Sequence, residues 1–381
     1  MKIYFVANTG FFIYNFFLRL AKALKYAGCD IAVVSPEDEY SEKLKDIGFT
    51  IIPLTSMNRK GSNPVEDISL LIELYKIFKH GKPDLVLLFT IKINVYGGIA
   101  ALFANVKSLC TVTGLGWLFT KKSIKTAIGG TGYKIMYKIA FAHAKKVFFQ
   151  NADDREFFLR NRVVKHEKTL VTPGVGVDVT HFSPDFCYST TDKQHDKHVF
   201  LLIARILWDK GIGEFVEAAK IVKSKFPSTE FWLLGPMDYE NRSAIADDVV
   251  KGWVDEGFIK YLGKTYDVRS FICQSDMVVL PSYREAIGKS LLEAMSMGKP
   301  IIATDTAGCK ETVEDGKNGF LVPVRDTEAL SEAMIKFIKL TQADKEKMGK
   351  YSREKAVREF DENIVVNVYR KIIEDASDKN I

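Results

Sequence analysis

The chain has 381 residues, 47% hydrophobic and 27% charged, which is long enough for two domains with apolar cores and too apolar for a disordered protein. No apolar run is long enough to span a membrane, and the apolar N-terminus lacks the small-residue cleavage site of a signal peptide. The five cysteines are scattered and show no C-x-x-C spacing, which favours a reduced, cytosolic protein.

The net charge of +6 is distributed unevenly along the chain. No acidic residue occurs between Asp84 and Asp153, a stretch that holds nine lysines, and residues 1–29 are also free of acids. A basic front half of this kind favours a partner that carries phosphate groups.

The first half of the chain alternates short apolar runs with helical patterns. We predict helices over 11–27, 65–79 and 133–144, and strands at KIYFVAN, DIAVVSP, FTIIPLT, DLVLLFT, SLCTVTG and KVFFQN. Alternating strands and helices predict a parallel sheet that is covered on both faces.

The alternation stops at the polar segment DFCYSTTDKQHDKH and then resumes. Further strands are predicted at VFLLIA, EFWLLG, FIKYLG, MVVLPS, PIIATD and GFLVP. We therefore expect an α/β protein with two Rossmann-like domains, residues 1–174 and 175–360, that face each other across a cleft. A final helix within 361–381 is expected to pack back on the first domain. Ligands of such sheets bind beyond the carboxyl ends of the strands.

The first strand ends in Asn8-Thr9-Gly10, which leads directly into a helix. The first amides of that helix offer a site for an anion, although a tight turn without a ligand explains the glycine equally well. Most of the five aromatic rings within 11–17 belong to the core. Any excess apolar face beside the basic residues of 19–25 would suit contact with a membrane surface.

Two cations, Arg205 and Lys210, follow the first strand of the second domain. Arginine offers a fixed fork of donors and lysine a mobile point charge, so together they could clamp a diphosphate. Surface solvation is the alternative, and it fits Arg205 poorly because the apolar run VFLLIA leads straight into this residue.

The segment SYREAIGKSLLEA places Glu285 before a helix that is predicted to begin near Gly288, and Glu293 in its second turn. The amides of 286–289 would face a ligand, and the two carboxylates would lie on the order of 10 Å apart. Glycosidase carboxylates lie roughly 5–9.5 Å apart on opposite faces of one sugar. The pair therefore suits two parts of one extended ligand, although a helix cap and a solvated glutamate would explain each residue separately.

These residues, followed by GKPIIATDTAGCKETVEDGKNGFLV, resemble the retaining family-four glycosyltransferases of the GT-B fold, and the resemblance covers nearly the whole chain. It implies that Arg205 and Lys210 hold the diphosphate of a UDP-sugar, that Glu285 binds the donor sugar and that Glu293 binds the ribose. Arg205, Lys210 and Glu285 would be catalytic. The further donor contacts that it implies are Gly10, Gly235, Tyr266, Ala286, Ile287, Gly288 and Lys289.

The front half is similar to family members that extend polyprenyl-diphosphate-linked sugars. This implies a lipid-linked glycan as acceptor, peripheral attachment to the inner face of the cytoplasmic membrane, and no nucleic-acid partner. Transferases of N-acetylgalactosamine in bacterial protein N-glycosylation are the nearest group, and enzymes of O-antigen and capsule assembly share most of the features. The acceptor contacts would be Asn8, Thr9, Phe12, Asn15, Thr113, Gly114, Trp117, Lys121 and Lys122.

Two positions depart from the family pattern. Ala286-Ile287 stands where many members have Gly-Phe or Gly-Thr, and TVTGLGWLF lacks the histidine that many members place near the donor sugar. Roles in helices or turns are expected for His143, His166 and His181. The family implies same-face attack by the acceptor with the departing phosphate as base. The sequence has no D-x-D motif or histidine cluster, which predicts a reaction without a metal or other cofactor.

Three alternative functions make different demands on the sequence. A phosphorylase of similar architecture would need a lysine-bound pyridoxal phosphate, for which no feature argues. A UDP-sugar epimerase would turn over its substrate without an acceptor. A lectin or nucleic-acid-binding protein would explain the basic face but would leave Arg205, Lys210 and Glu285 unexplained.

Overall fold

The chain forms two compact units, each with its own parallel sheet. The first comprises Met1–Val175 with the C-terminal segment from Val365, and the second comprises Gly176–Ile364. The predicted fold class, two parallel-sheet α/β domains, is therefore confirmed. The computed structural model describes residues 1–58, 63–114, 124–190 and 197–377.

The described part of the first unit contains a sheet of seven parallel strands. They are β1 (Lys2–Val6), β2 (Asp30–Ser35), β3 (Thr50–Pro53), β4 (Leu85–Phe89), β5 (Lys107–Val112), β6 (Lys146–Phe149) and β7 (Thr169–Val171). Their order across the sheet is β3-β2-β1-β4-β5-β6-β7. The register places Tyr4 opposite Ala32 on one side and Val86 on the other. Strands β1, β4 and β5 are buried almost throughout, because helices cover both faces.

The helices between these strands fall into two layers. They are α1 (Gly10–Phe16), α2 (Leu18–Tyr26), α3 (Glu39–Asp46), α4 (Pro64–Gly81), α5 (Gly98–Ala104), α6 (Ile124–His143) and α7 (Ala152–Arg160). On one face, apolar residues of α4 to α7 pack against the sheet, and on the other face those of α1 to α3 do so. A π-helical turn, Ile93–Gly97, precedes α5.

The aromatic run after β1 lies mainly in the core. The single helix predicted over 11–27 is in fact two helices, because Phe17 between them has non-helical φ and ψ angles of −133° and 10°. The Phe17 ring is buried and contacts Phe12 and Phe89. Of the run's phenylalanines, Phe11 alone is exposed, so the excess apolar face that this run suggested is reduced to one ring.

All six strands predicted for the second unit are present in the described residues. They are β8 (Val199–Ile203), β9 (Glu230–Leu234), β10 (Lys260–Tyr261), β11 (Met277–Leu280), β12 (Ile301–Thr304) and β13 (Gly319–Val322). Their order is β10-β9-β8-β11-β12-β13, again with parallel pairing throughout.

The remaining helices are α8 (Asp185–Thr190), α9 (Ile212–Lys225), α10 (Asp247–Asp255), α11 (Arg269–Gln274), α12 (Lys289–Ser296), α13 (Thr327–Ile338), α14 (Gln342–Phe360) and α15 (Glu362–Ser377). Most of α15 belongs to the first unit. Its Tyr369 is buried, stacks on Phe148 with 4.0 Å between ring centroids, and shares a 2.7 Å hydrogen bond with the Thr111 hydroxyl.

The cysteines correct one sequence prediction. Cys187 of α8 and Cys273 of α11 form a disulfide, with 5.2 Å between their Cα atoms, so the prediction of unpaired thiols is wrong for this pair. The partners are 86 residues apart in sequence and meet only because α8 and α11 pack together. Spacing along the chain carries no sign of such a contact. Cys29, Cys110 and Cys309 are thiols.

Every helix in the described residues falls short of the length and apolar content that crossing a membrane would require.

Candidate active site

The second unit has a topological switch point between β8 and β11. The chain runs from β8 outward through β9 and β10, and then returns to place β11 on the other side of β8. In open parallel sheets a crevice forms at this point, outside the carboxyl ends of the two strands. The residues that follow β8 and β11 therefore line one edge of the sheet.

Two of the predicted catalytic side chains meet at this edge. Lys210 ends a short helical turn after β8, and its Nζ forms an ion pair with Oε1 of Glu285, which follows β11. Their side chains are only 18% and 14% exposed. The structure thus holds a positive and a negative group in contact, with little water around them, at the switch point.

Arg205 does not join this pair. Its side chain is 52% exposed, and Nη1 lies 2.6 Å from Oδ2 of Asp238, in the loop after β9. The expectation that Arg205 would be poorly solvated is wrong, because β8 ends at Ile203 and the chain has left the sheet before this residue. Nothing in the sequence pattern pointed to Asp238.

The loop after β8 supports one side of the turn that carries Glu285. The carbonyl oxygen of Asp209 accepts hydrogen bonds from Tyr283 N at 2.9 Å and from the Ser282 hydroxyl at 3.2 Å. Gly211 adopts a left-handed φ of 71°, and a Cβ there would collide with the carbonyl oxygen of Pro281. A glycine is therefore required where this loop crosses the end of β11.

The loop after β12 supports the other side of the same turn. Ala307 O accepts a hydrogen bond from Glu285 N at 3.0 Å, and Gly308 O accepts one from Gly288 N at 2.9 Å. Gly308 has a φ of 76°, and a Cβ on it would collide with the carbonyl oxygen of Glu285. Sequence reasoning missed Ala307 and Gly308, although a glycine shortly after a strand in DTAGCKE was an available signal.

The prediction that the amides of residues 286–289 face a ligand is corrected in part. The helix α12 begins at Lys289 with Gly288 as its N-cap, as predicted, but the Gly288 amide is bonded to Gly308. The Ile287 side chain is buried in the apolar core of the unit, so only its backbone can face a ligand. Ala286 lies in the same turn, between Glu285 and the core residue.

Glu293 occupies the second turn of α12, as predicted. It is buried, and Lys289 Nζ lies 3.8 Å from its Oε1. Burial raises the pKa of the Glu293 carboxyl, and the charge of Asp267 adds to the rise, while Lys289 opposes it. The carboxyl is thus a poorly hydrated group that gains from hydrogen-bond donors.

Gly235 and Tyr266 have contrasting environments. Gly235 follows β9 with a φ of 151°, and a Cβ there would collide with Ala204 O, so the backbone itself requires glycine. Tyr266 is exposed, and Lys264 Nζ lies 4.8 Å from its ring centroid. Tyr266, which the resemblance implied as a donor contact, therefore lies at the surface with a lysine over its ring.

Tyr283 is a further residue of this turn that the sequence did not single out. Its hydroxyl donates a 2.7 Å hydrogen bond to Glu214 of α9, and the Arg325 guanidinium lies 4.4 Å from its ring centroid. Burial, together with the bond to Glu214, raises the pKa of Tyr283 to about 12, so the phenol stays neutral and keeps this donor.

In the first unit, the predicted anion site at the start of α1 is already filled by side chains. Thr9 caps the helix and accepts from Phe12 N at 3.1 Å, and Asp38 Oδ2 accepts from Phe11 N at 2.9 Å. A Cβ on Gly10 would lie 2.6 Å from Asp38 Oδ1. The Asp38 carboxylate and the Thr9 hydroxyl therefore already occupy amides at the start of α1, where an anion was predicted.

Other predicted acceptor residues lie at the same edge of the first sheet or near it. Asn8 directly follows β1, while the Phe12 ring packs against Phe17 and Phe89. Asn15 Nδ2 donates to Phe11 O at 2.9 Å. Thr113 and Gly114 follow β5, and Gly114 has a φ of 113°. The predicted residues Trp117, Lys121 and Lys122 lie outside the described residues.

The three histidines occupy helical or turn positions, as expected. His143 ends α6 and its Nε2 lies 3.0 Å from Val106 O, while His166 lies in a short helical turn and contacts Arg155. His181 lies in the turn after Asp178. Among the described residues, no three His, Cys, Asp or Glu side chains are grouped closely enough to hold a metal ion.

Two family models match the chain, one in each half. Residues 2–151 match the model described as glycosyl transferase 4-like, and residues 197–339 match the one described as glycosyl transferases group 1.

Curated relatives extend the match to the whole chain. It is 31% identical, over 98% of both sequences, to the N,N'-diacetylbacillosaminyl-diphospho-undecaprenol alpha-1,3-N-acetylgalactosaminyltransferase of Campylobacter jejuni. It is 28% identical to the UDP-Gal:alpha-D-GlcNAc-diphosphoundecaprenol alpha-1,3-galactosyltransferase of Escherichia coli, over 71% of this chain and 70% of that protein.

Solved structures are similar over their full length. A glycosyltransferase from Rickettsia africae has a TM-score of 0.77 at 21% identity, covering 100% of this chain and 99% of that one. Anabaena HepE in complex with UDP-glucose has a TM-score of 0.77 at 21% identity, covering 99% and 100%. These likenesses establish the fold.

Proposed function

Because this chain belongs to the group 1 glycosyltransferases, we propose that it transfers N-acetylgalactosamine from UDP-N-acetylgalactosamine to an undecaprenyl-diphosphate-linked sugar, such as diacetylbacillosamine. The observation that carries this proposal is the end-to-end match, 31% identity over 98% of both chains, to a relative named for that reaction. The enzyme is a hexosyltransferase in the assembly of a bacterial glycan.

The Lys210–Glu285 pair supplies the donor-side chemistry in this proposal. Lys210 donates to an oxygen of the donor diphosphate, and Glu285 accepts hydrogen bonds from hydroxyl groups of the transferred sugar. Since the two side chains are in contact, the ligand groups that they bind must be neighbours. The bond between a sugar and its diphosphate places such groups next to each other.

Bond cleavage and formation occur on one face of the sugar. The bond between the anomeric carbon and the diphosphate oxygen breaks, and the diphosphate leaves with the electron pair. The acceptor hydroxyl oxygen forms the new bond to the same carbon, and its proton passes to the departing phosphate. Lys210 stabilises the charge that develops on the diphosphate, and Arg205 does so after exchanging Asp238 for the ligand.

Glu293 and Tyr266 hold the nucleoside in this proposal. The buried Glu293 carboxylate accepts hydrogen bonds from the ribose hydroxyls, which replace the water that it lacks. The exposed Tyr266 ring lies against the base. We propose that the two cations carry the diphosphate charge without a metal, so turnover should persist in EDTA.

A release assay tests the donor and acceptor together. UDP release would be measured with UDP-N-acetylgalactosamine, UDP-galactose, UDP-glucose and UDP-N-acetylglucosamine, each with and without an undecaprenyl-diphosphate-linked diacetylbacillosamine. We expect release with the first donor and only when the acceptor is present. Conversion of the donor without an acceptor would instead favour an epimerase.

Another UDP-sugar is the second candidate, with an acceptor of O-antigen, capsule or exopolysaccharide assembly. Ala286-Ile287 departs from the common family pattern in the turn where the donor sugar is bound, and the E. coli relative is named for galactose transfer. Turnover with UDP-galactose and none with UDP-N-acetylgalactosamine would replace the first proposal with this one.

Peripheral attachment to the inner face of the cytoplasmic membrane is also part of the proposal. An undecaprenyl chain is held in the bilayer, so the enzyme must reach a group at the membrane surface. The lysines of the acid-free stretch would be attracted to anionic lipid head groups. Recovery of the enzyme with membranes after cell lysis tests this point.

A further inference from the structure

We infer that the outward surface of helices α4, α5 and α6 is the face that rests on an anionic lipid membrane. This inference rests on the proposed lipid-linked acceptor and names the part of the first unit that meets the bilayer. Helix α5 contacts both α4 and α6, and all three pack on the same face of the sheet. Their outward sides therefore form one continuous layer, called here the helical face.

Among the side chains that the structure describes, most of the exposed aliphatic ones lie on the helical face. Every exposed isoleucine and leucine among the side chains that the structure describes lies on these three helices. The exposed fractions range from 38% for Leu102 to 71% for Val65. The apolar residues of the face are Val65, Ile68, Ile72, Leu102, Phe103, Ile135 and Ile139.

Helix α4 arranges its exposed residues in one stripe. Val65, Ile68 and Ile72 are spaced by three and four positions, and Lys76 and Lys79 continue the same spacing. At 3.6 residues per turn, all five side chains project from one side of the helix. The stripe is apolar in its first half and basic in its second.

Helix α6 also combines exposed apolar side chains with an exposed lysine. Ile135 and Ile139 lie one turn apart and are exposed, with Lys138 exposed between them. Phe103, at the end of α5, is 65% exposed. Aliphatic and aromatic side chains beside lysines are typical of surfaces that sit in the interface of an anionic bilayer.

Acidic residues are kept off the helical face. Helices α5 and α6 lie within the acid-free stretch, so they contribute none. On α4, Asp67 is buried against Lys92 and Tyr96, with oxygen contacts of 2.9 Å to each. Glu73 accepts hydrogen bonds from the amides of residues 55 and 56, and Glu66 accepts from the amides of Asn58 and Asn63. The face is therefore apolar and positive.

Charge complementarity distinguishes two partners for the helical face, a second copy of this chain and an anionic membrane. Two copies of this chain, joined through identical faces, would bring Lys76, Lys79 and Lys138 of both copies together without acidic partners. An anionic lipid surface supplies the missing negative charge and accepts the apolar side chains at the same time. The helical face therefore fits a membrane better than a second copy.

Vesicle sedimentation tests the inference without any donor or acceptor. The intact protein would be incubated with vesicles of phosphatidylcholine alone and with vesicles of equal parts phosphatidylcholine and phosphatidylglycerol. We expect sedimentation with the second kind and little with the first. High salt should weaken the binding, because it screens the lysine contribution.

Substitutions of exposed residues test whether the helical face is the surface that binds the vesicles. We expect Lys76→Gln and Lys79→Gln each to weaken binding to the anionic vesicles about fivefold, the effect of about 1 kcal/mol per lysine. Ile72→Ser with Phe103→Ser should weaken it by about tenfold or more. The matched controls are Tyr26→Ser on α2, which packs on the opposite face of the sheet, and Lys339→Gln on the second unit, both exposed and both expected to bind as the wild type does.

Three outcomes would overturn the inference. Equal sedimentation with both kinds of vesicle removes the anionic preference, and full binding by the lysine and apolar variants moves the contact elsewhere. Conversion of a dimer into a monomer by Ile72→Ser with Phe103→Ser, seen by analytical ultracentrifugation, would assign the face to a second copy.

The transferase assay separates this inference from the proposed function. UDP release would be measured with a short-chain, water-soluble analogue of the lipid-linked acceptor in the absence of vesicles, where the helical-face variants should retain wild-type rates. Sedimentation without any UDP release would contradict the proposed function alone. UDP release without sedimentation would contradict the membrane inference alone.

Discussion

At the scale of single residues, the ion pair between Lys210 and Glu285 is the centre of the candidate site. Each is mostly withdrawn from water and is neutralised by the other, so removal of one leaves a poorly solvated charge. The sequence identified both residues, Glu285 through the segment SYREAIGKSLLEA and Lys210 as one of the two cations after β8. It could not show their contact, because 75 residues separate them and only the adjacency of β8 and β11 brings them together.

We predict that Glu285→Gln and Lys210→Ala each lower kcat by about 10²–10³-fold, the loss seen when one preorganised electrostatic contact is removed. Each should also destabilise the protein by about 1.5–3 kcal/mol, because a charged partner is lost at a buried position. UDP-release kinetics and urea unfolding would measure the two effects. Lys260→Ala is the control, because the Lys260 side chain, paired with Glu230, is 58% exposed. This variant should keep the wild-type kcat, and its free energy of unfolding should change by no more than about 1 kcal/mol. Wild-type turnover in Glu285→Gln would remove this residue from the site.

The buried Glu293 carboxyl predicts how the stability of the protein changes with pH. Burial raises its pKa in the folded protein above the value in the unfolded chain. The folded state therefore binds more protons between the two values, and stability falls as pH rises through that window. Glu293→Gln removes this loss, so we expect the variant to be more stable than the wild type at neutral pH and equal to it in acid. Urea unfolding at a series of pH values would measure the difference.

Glu314 is the matched control for that experiment because its shift has the opposite sign. Hydrogen bonds from Tyr351 and Lys317 lower the pKa of the Glu314 carboxyl to about 2. Its contribution to stability is present above the pKa of an unfolded glutamate and is lost as pH falls toward about 2. Glu314→Gln should therefore be less stable than the wild type at neutral pH. A neutral-pH loss of stability in Glu293→Gln as well would contradict the interpretation of Glu293.

At the scale of elements, the turn over residues 282–288 is held from both sides. Asp209 bonds it from the loop after β8, and Ala307 and Gly308 bond it from the loop after β12. The three loops follow three adjacent strands, so the order of the sheet itself assembles the site. The position of Glu285 consequently depends on residues that touch no ligand in the proposed reaction.

We predict that Gly308→Ala impairs binding of the intact UDP-sugar, although residue 308 itself touches no ligand in the proposed reaction. The added Cβ would collide with Glu285 O and would push the turn away from Lys210. A positive φ adds strain of about 1–3 kcal/mol. Gly316→Ala is the control, because it has a similar φ of 74° with no atom within 4 Å of the added carbon. Calorimetric titration with UDP-N-acetylgalactosamine should show weaker binding only in Gly308→Ala; equal affinities would show that the contact does not position Glu285.

Sequence patterns located these elements to different degrees. Buried strands such as β4 and β8 were predicted because uninterrupted apolar runs mark sheets that are covered on both faces. The short strand β7 was not predicted, since its three residues, Thr169–Val171, carry too little pattern. The division of α1 from α2 depends on how the Phe17 ring packs in the core, which a helical periodicity does not encode.

At the scale of the whole molecule, the chain leaves the first unit after Val175 and rejoins it at Val365. The returning helix α15 completes the apolar core on one face of the first sheet through Val366, Tyr369 and Ile373. The sequence indicated a final helix without a following strand. The particular contacts of Tyr369 with Phe148 and Thr111 link positions more than 200 residues apart and were accessible only from the fold.

The Tyr369 contacts predict that the stability of the first unit depends on the last helix of the chain. Tyr369→Phe removes the 2.7 Å hydrogen bond to the buried Thr111 hydroxyl and should destabilise the first unit by about 1 kcal/mol, while Tyr369→Ala should cost about 3–5 kcal/mol through the cavity that it leaves. Scanning calorimetry would follow the unfolding transition, and Tyr239→Phe, whose hydrogen bond to Asp247 is exposed, should leave it unchanged. UDP affinity of Tyr369→Phe should equal that of the wild type, because Arg205, Lys210, Tyr266 and Glu293, which hold UDP in the proposed function, lie in the second unit. A loss of UDP affinity without a shift of the transition would instead tie Tyr369 to the donor site.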